Sequence, residues 1–166
     1  RFYNRLLEQT AADRAALVAA PIIQGCLHGE VSLPSYLAFL GEAYHHVRHT
    51  VPLLMAVGGH LPDRHGALRH EVMHYLEEET GHEQWILNDI EQAGGDRAAA
   101  AASQPAIATD AMVAYAYDMV LRRNPIGFFG MVYVLEGTSV SLALLAADAI
   151  VFGSPTYMGG ASWQFK

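Results

Sequence analysis

Residues Glu77–Leu87, EEETGHEQWIL, decide how the chain is read. They sit inside a helical pattern over residues 67–90, where Val72, Tyr75, Leu76, Ile86 and Ile90 recur at helical rather than strand spacing. On such a helix Glu79 and His82 are three residues apart, and His74, Glu78 and His82 are each four apart. Carboxylate and imidazole then stand on neighbouring strips of one face. A hard carboxylate beside a borderline imidazole suits iron or manganese, and E-x-x-H is how di-metal helical bundles present both ligand types from one helix. The plainer alternative is a solvated acidic face with a histidine paired to one of its glutamates.

The rest of the chain sets the frame for that motif. A length of 166 residues with 52 % hydrophobic content is enough for one domain with a proper core. A formal charge of -7, without clustered Lys and Arg, argues against a nucleic-acid surface. No apolar run approaches the roughly 20 residues needed to cross a bilayer, and nothing near the N-terminus resembles a signal peptide. The single Cys26 has no partner for an internal disulfide, so a cytoplasmic location is expected.

Working outward, the pattern predicts a helix over residues 2–19 interrupted at Pro21. A second is expected from a Ser32 cap towards Gly58, kinked at Pro52, and a third follows an Asp63 cap and closes at Gly94-Gly95. Residues 97–103 read as a partly helical linker, and residues 104–123 as the fourth helix. Asn124-Pro125 supplies cap and first position of a fifth, very apolar helix reaching about residue 147. Within it Glu136 is the only charged residue between Arg123 and Asp148. A carboxylate inside an apolar helix is costly unless it is paired, protonated or bound to metal.

All nine histidines lie at or before position 82. Helix two repeats the key spacing as Glu42 and His45, with His49 one turn on, which makes these three a secondary candidate ligand set. Two E-x-x-H helices and a single-Glu helix use the parts of a ferritin-like centre, but in that fold the two kinds of helix alternate. Here the two motifs are consecutive, and helix four offers only Asp110 and Asp118. Tyr44, Tyr115, Phe129 and Tyr133 are helical aromatics that either fill the core or line an apolar substrate pocket.

The runs PIIQGCLHGEVSLPSYLAFLGEAYHHVRHTVPLLMAVGG (21–59), EEETGHEQW (77–85) and GMVYVLEGTS (130–139) together resemble the heme-oxygenase-like fold. The similarity is to the branch that holds thiaminase II, pyrroloquinoline-quinone synthase and the non-heme iron redox enzymes, and within it to the di-iron oxidases. It covers roughly residues 2–148 and implies an all-α, heme-oxygenase-like bundle of about five helices. It further implies that Glu79, His82 and Glu136 are iron ligands, with Glu136 bridging two ferrous ions. The chemistry implied is oxygen activation for oxidation of a small organic substrate. In those enzymes a later helix with an H-x-x-x-D-x-x-H type pattern completes the ligand set, and these 166 residues contain no such pattern.

Residues 149–166, AIVFGSPTYMGGASWQFK, read instead as an apolar strand, a loop and a helix start. They resemble the flavin-ring loop of flavodoxin-like FMN reductases, so the tail is expected to be a non-helical fragment outside the 1–148 domain. One strand and one loop do not bury a flavin, and FMN binding is not expected. The leading expectation is thus an iron-dependent oxidoreductase that acts as a homodimer on a small molecule, with neither nucleic acid nor membrane as partner. The alternatives are a metal-free thiaminase-like hydrolase or binding protein, and a catalytically incomplete helical dimerisation module.

Overall fold

The computed structural model of the chain describes residues 2–137, and these are helical with no strand among them. The all-α expectation therefore holds for the described residues, while the 149–166 tail lies outside them. The segments are shorter than the five expected, because the chain breaks where local chemistry competes with the helix. They are α1 Phe2–Gln9, α2 Ala11–Val18, α3 Pro21–Leu27, α4 Leu33–Val47, α5 Thr50–His60, α6 Gly66–Glu79, α7 His82–Gln92, α8 Arg97–Ala102 and α9 Ile107–Asp118. A π-helical turn, Met119–Arg123, and a 3-10 turn, Pro125–Gly127, follow, and α10 covers residues 128–137. No helix among the described residues is long and apolar enough to cross a membrane.

The expected helix from Ser32 to Gly58 divides before Pro52 rather than kinking at it. Proline has no N–H to give the carbonyl four residues back, which is that of Arg48, so the ladder lapses at Arg48–His49 and restarts as α5. The next residue, Leu53, resumes the pattern by donating its N–H to the His49 carbonyl at 2.9 Å. At the far end of α5, Arg69 donates from Nε to the Gly58 carbonyl at 3.0 Å and from its guanidinium to the Leu61 carbonyl. These are terminal carbonyls that the helix itself leaves unpaired.

By chain contacts the protein falls into two units. In the unit Leu33–Met131, α4 packs on α7 and α9, while α5 packs on α6 and the π-helical turn. Leu53, Leu54 and Val57 of α5, Val72 of α6, Val120 and Phe128 are its most buried large side chains. Leu40 of α4 meets Ile86, Leu87 and Ile90 of α7 in an apolar cluster that Tyr36, Leu37 and Tyr44 extend. In the other unit, described over residues 2–32 and 132–137, α1 packs on α2 and α2 on α3. There Thr10 turns its hydroxyl onto the Leu6 carbonyl at 2.7 Å, and Arg14 donates to the Leu7 carbonyl at 2.8 Å. These side-chain bonds accompany the break between α1 and α2.

Candidate metal centre

The single helix expected over residues 67–90 is two helices, and the break falls inside the E-x-x-H motif. Thr80 is extended and Gly81 takes φ +95°, a left-handed conformation that glycine adopts at little cost and that commonly ends a helix. Glu79 is thus the last residue of α6 and His82 the first of α7. The two side chains nevertheless meet: His82 Nδ1 lies 3.0 Å from Glu79 Oε2, with the side chains only 17 % and 14 % exposed. An ionised carboxylate accepts and does not donate, so Nδ1 carries the proton and Nε2 is the nitrogen with the lone pair a metal would use. The His82 ring also lies against Trp85, with centroids 4.3 Å apart.

Glu136 is on α10, in the other unit, and it is exposed, whereas residues 131–135 before it are half-buried. The isolated carboxylate was expected in a dry interior. Instead it is exposed, where a carboxylate costs less than in an apolar interior. Among the described residues no group of three or more His, Cys, Asp or Glu side chains stands together as a metal cluster.

The second motif has a different occupation. Glu42 accepts the Ala106 N–H, 3.1 Å from both of its oxygens, and the Thr109 hydroxyl, so it caps the start of α9 from a neighbouring helix. The Thr109 hydrogen bond is the main reason its carboxyl is held below the usual range. Glu42→Ala should lower the unfolding free energy by about 1–3 kcal/mol, since it removes a charged cap. Urea denaturation measures this.

His45, 2 % exposed, has Nε2 2.7 Å from the Ser103 hydroxyl. That hydroxyl gives its own hydrogen to the Ala100 carbonyl at 2.8 Å, so it must accept from His45 Nε2–H. Nδ1 is then a buried lone pair without a hydrogen-bond partner among the described residues. His49 lies with Nδ1 3.2 Å from the Tyr117 hydroxyl. Glu42 and His45 of α4, and His49 in the turn that follows it, therefore stitch this stretch to three separate points on the α8–α9 segment.

Burial pushes His46 and His49 below the usual imidazole range, with His49 adding charge repulsion at His46 and Arg48 at His49. A histidine whose pKa is lowered by folding contributes full stability above its unfolded value, about 6.5, and loses it as pH falls through the folded one. The melting temperature should accordingly be level above about pH 7 and drop on acidification to about pH 5. Calorimetry across that range checks this, and His46→Gln with His49→Gln should flatten the slope.

Of the four aromatic candidates, Tyr44 belongs to the α4–α7 cluster, with Arg48 5.8 Å over its ring. Tyr115 is 57 % exposed beneath Arg123. Phe129 lies half-buried with its ring 6.0 Å from Phe128. In the other unit Tyr133 sits edge-on to Tyr3 at 6.3 Å, its hydroxyl buried without a hydrogen-bond partner among the described residues. An open groove of about 430 Å³ lies at the α7–α8 turn, lined by Glu91, Gly95, Asp96, Arg97, Ala98 and Ala101, and none of the four aromatics reaches it. The helix end at Thr80-Gly81 does carry a local signal within the 67–90 pattern, since a glycine inside a helical run marks a possible C-cap.

A family model described as iron-containing redox enzyme matches residues 37–151, which contain Glu79, His82 and Glu136. The chain is also similar to a domain of unknown function with a heme oxygenase-like fold from Shewanella denitrificans OS217, solved by crystallography. The two superpose with a TM-score of 0.80 at 27 % sequence identity, covering 94 % of this chain and 68 % of that one. None of the curated proteins compared with the chain matches it. The fold is thus heme-oxygenase-like, as the sequence resemblance implies.

Proposed function

The chain belongs to the iron-containing redox enzyme family, and from that premise we propose an iron-dependent oxidoreductase that holds its metal through Glu79, His82 and Glu136. One observation carries the assignment: the Glu79–His82 pair, an oxygen and a nitrogen donor in contact and largely withdrawn from water. Its donor chemistry fits iron, since carboxylate and imidazole are the ligand types non-heme iron takes. Bound there, iron would supply redox chemistry toward dioxygen, with a small organic molecule as the group oxidised.

The chain's own residues do the rest. Glu79 Oε2 keeps the proton on His82 Nδ1 and so orients the ring with Nε2 as the donor atom. Trp85 covers one side of that ring and keeps water from it. Glu79, the last residue of α6, brings negative charge to balance the cation. A centre of two ferrous ions, the homodimer and the small-molecule substrate belong to the same proposal.

The test is reconstitution with ferrous ion without oxygen, followed by desalting and elemental analysis of wild type, Glu79→Ala and Glu136→Ala. Wild type should retain iron and both variants should lose it. Equal metal content in all three would remove the assignment.

A further inference from the structure

We propose that His70 and His74 form a second metal site, on the outer surface of α6, which takes a borderline divalent cation such as zinc. The segment reads His70-Glu71-Val72-Met73-His74, an H-E-x-x-H spacing that places both imidazoles on one strip of a continuous helix. Val72 between them is 1 % exposed and holds the opposite side of α6 in the core, while both histidines are exposed. Their Nε2 atoms lie 3.2 Å apart, with ring planes at 88°. Two nitrogens bound to one zinc at 2.0–2.1 Å in tetrahedral geometry are themselves roughly 3.3 Å apart.

The pair is therefore already set at the bite that a cation requires. At present the two Nε2 atoms share one proton, because one imidazole must donate for the other to accept. A cation replaces that proton and meets two lone pairs. No third His, Cys, Asp or Glu stands with the pair among the described residues, so the site rests on the two imidazoles, and the chain's net charge of -7 favours any cation. Water fills the remaining coordination positions. Two imidazoles without a thiolate suit zinc, copper or nickel, and ferrous ion binds such sites more weakly than these three. The site shares no residue with Glu79, His82 or Glu136 and stands whether or not those three hold iron.

The experiment is a zinc titration of metal-free full-length protein in competition with a chromophoric chelator, run on wild type, His70→Gln, His74→Gln and His82→Ala. Both histidines are exposed, so the first two variants should keep the wild-type circular dichroism and melting temperature. Wild type and His82→Ala should both bind zinc at the His70–His74 pair with matching affinity, whatever further zinc the Glu79–His82 pair takes in the wild type. His70→Gln and His74→Gln should each weaken that binding at least about tenfold, since a chelating second ligand acts at high effective concentration. The proposal is overturned if wild type binds no zinc, if the two glutamine variants bind it as wild type does, or if His82→Ala alone abolishes it.

Discussion

Phe128→Ala is expected to lower the unfolding free energy of the protein by about 3–5 kcal/mol, the range for deleting a buried aromatic ring. Phe128 is 2 % exposed and begins α10 directly after the Asn124-Pro125 cap, where Asn124 Oδ1 accepts the Ile126 N–H at 3.1 Å. That cap sets the direction of the chain, and the preceding turn, Pro125–Gly127, packs on α5. Leu53, Leu54 and Val57 of α5 are all at most 1 % exposed, so the layer cannot readily collapse into the space a lost ring leaves. Residual cavity volume, more than lost transfer energy, should place Phe128→Ala at the upper end of the range. Leu54→Ala serves as the internal comparison at about 2–5 kcal/mol. Denaturant unfolding with unchanged m-value measures both, and a loss under about 1 kcal/mol for Phe128→Ala would mean the ring is not a core member.

What the sequence made legible here is whatever depends on near neighbours. The Asn124-Pro125 start was readable because cap and first-turn proline are adjacent, and the Gly94-Gly95 stop because Gly94 takes φ +83° at the end of α7. Pro52 was readable as a disturbance, but its effect falls at the carbonyl it fails to bond, so the break stands upstream of it. Glu42 was out of reach for a different reason. Its partners Ala106 and Thr109 are 64 and 67 residues away, and no local pattern tells a carboxylate that caps a distant helix from one that binds a metal. Glu136 shows the same limit, since its isolation in an apolar run suggested burial and the fold leaves it exposed. The H-E-x-x-H at residues 70–74 was locally visible, but it takes the facing Nε2 atoms to distinguish it from two unrelated surface histidines.

His82→Ala is expected to reduce iron retention at least about 100-fold, because even the partners behind metal ligands change affinity by 10–100-fold when removed. The interpretation depends on separating loss of a ligand from loss of the local fold, and Gly81 provides the means. An ideal Cβ at Gly81 meets nothing within 4 Å, so Gly81→Ala introduces no clash and acts only through the backbone at φ +95°. A side chain in the left-handed region costs about 1–2 kcal/mol, and the junction relieves that cost by shifting where α7 restarts. His82 would then move relative to Glu79 without a change in either side chain. Gly81→Ala should therefore lower the melting temperature and weaken iron retention only in part, whereas His82→Ala should abolish retention at a stability loss of about 1–3 kcal/mol, the cost of taking the imidazole away from a largely buried carboxylate. Ferrous loading followed by elemental analysis, paired with thermal unfolding of the metal-free protein, gives both readouts. If His82→Ala retains iron as the wild type does, the 3.0 Å contact with Glu79 is a hydrogen bond that ties α6 to α7 and not part of a metal centre.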